Sequence, residues 1–333
     1  MTTKHKMIQY NSVLAPMINQ LIREKRACGY KYDTETRILK RFDCFLFNKK
    51  VTQNELPKEI VLEWVEKKSH EQASTQNSRI CCIRNLARLM VRLGYSAYIL
   101  PNHFGTKRTW IFLPHIFTQG EIQKIFQAID KIKPNPWFPQ QHIIMPEIFR
   151  LLYGCGFRLG ELLNLRIRDV DLKQGVIIIR GGKFSKDRLV PPSTDLVERL
   201  RIYNEKIEKD ILEKRNDKSF FFPSRKEKTR LHNTTIYAFF RKILYQCGIP
   251  HGGRRKGPRV HDFRHSFAVH RLIKWYEEGC DLNAKLPFLV AYLGHQNFTG
   301  TQKYLHLTTE LFPNLVLRMN KKFGDIIPGR TQL

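Results

Sequence analysis

Several side chains in the second half of this 333-residue chain stand in short patterns that could do chemistry on a phosphate. Arg158 lies in a glycine-flanked turn, Gly154-Cys155-Gly156-Phe157-Arg158-Leu159-Gly160-Glu161, that leads into a helix. Lys183 and Lys186 share the turn of Gly182-Lys183-Phe184-Ser185-Lys186-Asp187-Arg188-Leu189-Val190-Pro191. His261 precedes Arg264 by three positions, and Leu293-Gly294-His295 is followed nine residues later by Tyr304. Guanidinium groups are permanently charged and grip phosphate oxygens bidentately, so Arg158 and Arg264 suit the charge that develops on non-bridging oxygens during transesterification. A phenol with a pKa near 10 attacks near neutrality only with a base or positive surroundings. No cluster of carboxylates or spacing of metal ligands is evident, so cationic side chains must carry the stabilisation; no metal and no cofactor is expected. Singly, each pattern has a plainer reading: a His and an Arg three apart arise by chance in a basic chain, an arginine beside Gly-x-Gly can simply hold a turn, and one of twelve tyrosines is usually core or rim.

In combination and in this order, the segments resemble the active-site boxes of the tyrosine recombinase (phage integrase) family, in its simple two-domain, Xer-like or transposon-encoded form. The resemblance covers about residues 118–310. It implies that Tyr304 is the nucleophile, that Arg158 and Arg264 hold the scissile phosphate, that His261 assists proton removal and that His295 hydrogen-bonds the phosphate. It matches Lys183 to the acid that protonates the leaving 5′-hydroxyl, with Lys186 three residues on as the other candidate. Glu161 reads as structural, orienting the arginines from its helix. The expected activity is site-specific DNA recombination through a 3′-phosphotyrosyl intermediate, in integration, excision or resolution. The alternatives are a type IB topoisomerase or telomere resolvase of the same chemistry, or a non-catalytic DNA-binding accessory protein. The implied partners are duplex DNA bearing specific sites, a homo-tetramer on two duplexes, and an accessory DNA-bending protein or second recombinase.

These residues need elements to position them. Apolar positions at helical spacing predict helices over 8–27, 34–48, 57–68 and 75–93, the last with Ile83, Leu86, Leu89, Met90 and Leu93 on one face and Gly94 as its stop. Arg84, Arg88 and Arg92 recur four apart on another side, either as a solvated face or as a stripe along DNA phosphates. Residues 101–117, with Pro101, Gly105 and Pro114, read as a linker between a helical core-binding domain over 1–100 and a catalytic domain over 118–333. Thr118 with Glu121 forms a capping-box pattern. Residues 176–180 and 189–191 read as a hairpin, and helices follow over 193–213, 234–247, 262–278, 285–293 and 310–322. Arg254, Arg255 and Lys256, in the loop before His261, read as a backbone clamp or a solvated loop. The tail carries Leu311, Phe312, Leu315, Val316, Met319 and Phe323 at helical spacing, a helix over about 310–323 that packs on its own domain or, by the resemblance, on a neighbouring subunit. The expected fold class is mainly α with a small β-sheet, a two-domain DNA clamp with an all-helical N-terminal domain and an α+β catalytic domain.

Composition agrees with a nucleic-acid partner. Lys and Arg number 58 against 30 Asp and Glu, a net charge of +28, which favours a polyanion. The basic residues spread along the whole chain instead of clustering beside an apolar helix, which disfavours a membrane surface. No signal-peptide pattern opens the sequence, no apolar run spans a bilayer, and the seven cysteines form no C-x-x-C pair. A reducing cytoplasm, with association to the nucleoid when DNA is bound, is the expected location.

Overall fold

The computed structural model describes residues 8–106, 114–181, 187–211, 214–224, 229–253 and 256–294. The chain divides into two compact units, Met1–Phe112 and Leu113–Leu333.

The first unit is helical: α1 (Ala15–Ala27), α2 (Asp33–Asn48), α3 (Lys58–Val65) and α4 (Ala73–Arg92). Helix α4 packs against the other three through the expected face, with Ile83, Leu86 and Met90 fully buried. Leu93 departs from that face, since it follows the last helical residue and is 40% exposed. Gly94, at φ +87°, ends α4 in a Schellman motif: its N–H donates to Val91 O, and that of Tyr95 to Met90 O. Helix α1 starts seven residues later than its periodicity predicts. The buried carboxylate of Asp43 accepts the backbone N–H groups of Asn11 and Ser12 at 2.9 and 2.8 Å, holding that segment out of the helix, and Pro16 stands in the first turn.

The stretch read as a linker is claimed from both sides. Phe104 packs on the first core, and Thr106 pairs with Asn77 and Gln76. Phe117 lies at the centre of the second core, where its N–H donates to the buried Ser266 Oγ at 2.9 Å.

The second unit begins with α5 (Gln119–Asp130), closed by the reciprocal Thr118–Glu121 capping box that the sequence predicts. Helix α6 (Gln141–Gly154), absent from the sequence-based expectation, buries Ile144, Ile148, Phe149 and Leu152. After the short α7 (Leu159–Leu163) comes an antiparallel sheet, β1 (Val170–Asp171), β2 (Val176–Ile179) and β3 (Arg188–Val190), in that order. The expected hairpin is β2–β3, with Ile179 paired to Arg188; β1 adds a third short strand. Four helices complete the described fold: α8 (Thr194–Asp210), α9 (Asn233–Gln246), α10 (Asp262–Glu277) and α11 (Leu282–Leu293). Helix α11 starts earlier than expected because the Asp281 side chain caps it, accepting the N–H of Asn283 at 2.8 Å. The tail helix expected over 310–323 lies outside the described residues.

Helix α10 runs through the middle of this unit. Asp262, Phe263 and Arg264 are buried in succession, as are Ser266 to Val269. Phe263 stacks on Phe117 at 4.9 Å and meets Phe149 and Phe240, each at 5.5 Å between ring centroids. That aromatic anchor fixes the rotation of α10 and so the place of the neighbouring Arg264.

Candidate active site

The site is assembled around the C-terminal end of α11. There, three consecutive carbonyls each accept a hydrogen bond from a different arginine. Tyr292 O accepts from Arg188 Nε at 3.1 Å, Leu293 O from Arg264 Nη2 at 2.6 Å, and Gly294 O from Arg158 Nη2 at 3.2 Å. The last carbonyls of a helix carry its negative partial charge, so they attract cations. The three arginines come from β3, from the first turn of α10, and from the residue that opens α7. Gly294, at φ +66°, caps α11.

Arg264 is 1% exposed, and its Nη1 also donates to Gly156 O at 2.7 Å. Gly156 turns the chain at φ +61°, where a Cβ would stand 2.6 Å from Phe267 and 2.9 Å from Leu293. Only glycine fits that turn, and the turn aims its carbonyl at Arg264.

Arg158 and Arg188 share one carboxylate. Arg158 Nη1 meets Glu161 Oε1 at 2.7 Å, and the Arg158 N–H meets Oε2 at 3.0 Å. Arg188 grips both oxygens, at 3.1 and 2.8 Å. Burial alone would raise the Glu161 pKa; the hydrogen bonds and charge of Arg188, then of Arg158, outweigh it and hold the carboxyl at about 2. Glu161 is therefore ionised and joins the two arginines through one carboxylate. Three guanidinium charges less one carboxylate leave this cluster with a net charge of two positive units.

His261 opens α10 with its ring edge-on to that of His265 at 4.8 Å. The residue keeps an exposed edge. Packing around the ring, then the charges of Arg264, Arg259 and Arg158, bring its pKa down to about 4. At neutral pH it is an uncharged imidazole, able to accept a proton. Asp262 fastens this helix start by accepting from the Arg259 N–H at 2.9 Å and Nη2 at 3.0 Å.

The structure thus brings together Arg158, Glu161, His261 and Arg264. Lys183, Lys186, Arg254, Arg255, His295 and Tyr304 lie outside the described residues. Lys256 is exposed in a turn, its N–H donating to Gly253 O at 3.3 Å. The arginines of α4 engage protein groups. Arg84 donates to Leu100 O at 2.9 Å and Pro101 O at 2.7 Å, Arg88 to Asn102 Oδ1 at 3.2 Å, and Arg92 pairs with Glu24. Tyr292, in the last turn of α11, donates its hydroxyl to Pro191 O at 3.2 Å, and burial beside Cys155 raises its pKa, which leaves it ill suited to attack. Cys155 is buried with its thiol pushed up to about 12, a packing residue. Arg188 carried no role in the sequence reading. Its signal was the alternation of a strand: it shares the Val190 side of β3, with the 65% exposed Leu189 on the other. Among the described residues no group of His, Cys, Asp and Glu is arranged to hold a metal ion, and no helix is long and apolar enough to cross a membrane.

Residues 115–310 match the phage integrase family. The y4rB protein of Sinorhizobium fredii, which carries an integrase/recombinase name, is 30% identical over 94% of this chain and 99% of its own. Tyrosine recombinase XerA of Thermococcus onnurineus is 36% identical over 60% of each chain. Among solved structures, the XerH site-specific recombinase bound to palindromic difH substrate superposes with a TM-score of 0.62 at 20% identity, covering 85% of this chain and 78% of that one. The Tn1549 transposon integrase in complex with a circular intermediate DNA gives 0.58 at 17% identity, covering 88% and 95%. With more than half its length matched and a relative alike from end to end, this chain belongs to the phage integrase family of tyrosine recombinases.

Proposed function

We propose that this protein is a site-specific recombinase that cuts and rejoins duplex DNA through Tyr304. The observation that carries the reading is the pair Arg158 and Arg264, drawn onto adjacent carbonyls at the end of α11 with the uncharged His261 at hand. Two such guanidiniums stabilise the charge on the non-bridging oxygens of a five-coordinate phosphorus, and their positions are set before DNA arrives. His261 accepts the phenolic proton as the Tyr304 oxygen bonds to phosphorus and the bond to the 5′-oxygen breaks. Lys183, or Lys186 in the same turn, protonates the departing oxygen, while His295 donates a hydrogen bond to the phosphate. The product is a 3′-phosphotyrosine. Because it conserves the phosphoester, a 5′-hydroxyl from another strand reverses the step without ATP.

The partner is duplex DNA, in keeping with the net charge of +28 and with DNA-bound structures of the same fold. The first unit is proposed as the core-binding domain that closes a clamp on the duplex. Contacts to phosphate are proposed from Arg84, Arg88 and Arg92 of α4, released from or shared with their protein partners, with Lys186, Arg254, Arg255 and Lys256 contributing from the second unit. Four protomers on two duplexes, joined through the 310–323 tail, would exchange strands. Deleting residues 311–333 should then abolish cooperative binding to a full site and spare half-site binding; unchanged cooperativity would assign the tail to its own core.

The chemistry is tested on a nicked duplex carrying a site that the wild-type protein selects from random DNA. Wild-type protein should become covalently attached, and Tyr304→Phe should bind equally well without forming the adduct. An adduct formed by that variant would refute the assignment.

A further inference from the structure

We propose that Arg188 is a positioning residue of the cleavage reaction, keeping the charge of Arg158 available to the scissile phosphate by taking a share of the Glu161 carboxylate. The inference rests on the function proposed above and adds a residue to it.

Arg188 projects from β3 with 13% of its side chain exposed, and three of its N–H groups are accounted for within the site. Its fork spans both oxygens of Glu161, the bidentate geometry in which a guanidinium binds a carboxylate most strongly. Its Nε holds Tyr292 O, and its guanidinium fills the space beneath Gly294, where a Cβ would lie 3.0 Å from Nη1. One side chain therefore links β3, the helix opened by Arg158 and the C-terminal end of α11.

The charge arithmetic gives the arrangement its consequence. Glu161 next to Arg158 alone would form a neutral pair, and the phosphate would meet Arg264 with little help. With Arg188 gripping the same carboxylate, the trio keeps one net positive charge, and Arg158, the more open of the two arginines at 32% exposure, presents it. A neutral residue at position 188 should therefore slow the chemical step without weakening DNA capture. The loss should depend on the Glu161 charge: once that carboxylate is neutral as well, Arg158 no longer needs a second arginine.

Single-turnover cleavage of the nicked, selected duplex tests this with wild-type protein, Arg188→Met, Arg188→Lys and the double variant Glu161→Gln/Arg188→Met. Half-site affinity is measured in parallel. Arg188→Met should cleave about 30-fold more slowly at unchanged affinity, less than the loss caused by removing a group that touches the phosphate. Arg188→Lys keeps the charge without the fork and should fall between it and wild type. The double variant restores the net charge of the cluster and should recover most of the lost rate. Cleavage by Arg188→Met at the wild-type rate overturns the proposal, as does a double variant no faster than Arg188→Met. Should Arg188→Met fail to bind, the double variant decides, because DNA bound but uncleaved by it overturns the proposal too. Wild-type protein that forms no adduct overturns both this inference and the function it rests on, whereas an adduct formed equally fast by wild type and Arg188→Met removes this inference alone.

Discussion

Gly156 and Arg264, 108 residues apart in the chain, are joined by a 2.7 Å hydrogen bond from the buried guanidinium to the glycine carbonyl. The bond depends on a backbone turn at φ +61° and on the absence of a side chain beside Phe267 and Leu293. Gly156→Ala should cost roughly 2–5 kcal/mol, combining left-handed strain with overpacking. It should also slow cleavage by displacing the carbonyl from Arg264. Denaturant unfolding and single-turnover cleavage check both effects; a variant of wild-type stability and rate would show that the turn tolerates a methyl group.

A second expectation concerns pH. The native pKa of His261, about 4, lies below the value near 6.5 of an unfolded chain. Above pH 6.5 both states hold a neutral imidazole, and the group contributes nothing to the pH dependence. Between pH 6.5 and 4 the unfolded chain binds a proton that the native protein does not, so stability falls with pH, levelling off below about 4. Unfolding of wild type and His261→Gln from pH 7.5 to 4.5 should show the shallower decline in the variant. Parallel curves would mean that His261 titrates alike in both states.

Ser266 offers a contrast, since it sits two residues beyond Arg264 but supports only the fold. Its Oγ accepts the Phe117 N–H inside the core. Ser266→Ala leaves that donor without this acceptor and should cost about 1–3 kcal/mol. Cleavage per folded molecule, measured well below the melting temperature, should stay close to wild type. A large loss of rate at full half-site occupancy would place Ser266 in the chemistry.

The fourth expectation follows from the permanence of guanidinium charge. If Arg158 and Arg264 neutralise the transition state, covalent attachment to the nicked duplex should persist in excess EDTA. Cleavage lost under EDTA while binding remains, and restored by magnesium, would contradict the arginine mechanism.

What was legible in the sequence follows a physical division. Arg158, His261 and Arg264 could be singled out because the chemistry they would do needs both a residue type and a local spacing, and because their order resembles that of a known family. The helices of the first unit were visible wherever one apolar stripe faced a core, as in α4. Helix α6 was not, because its apolar residues lie on nearly every side and Pro146 reads as a breaker. The early start expected for α1 failed on Asp43, a buried carboxylate whose backbone partners lie more than thirty residues away. Arg188 was on view yet mute. Its meaning lies in partners 27 and 104 residues distant, and no local pattern states such contacts.

The end of α11 has one more consequence. Tyr292, Leu293 and Gly294 supply one carbonyl each to Arg188, Arg264 and Arg158, so the three arginines are not all seated on α11 until residue 294 has joined the fold. A chain still emerging from the ribosome, with its first two hundred and eighty or so residues free, holds its arginines without their seat and has yet to receive Tyr304. On the function proposed above, order of synthesis would then hold back cleavage until the last of these residues has been made.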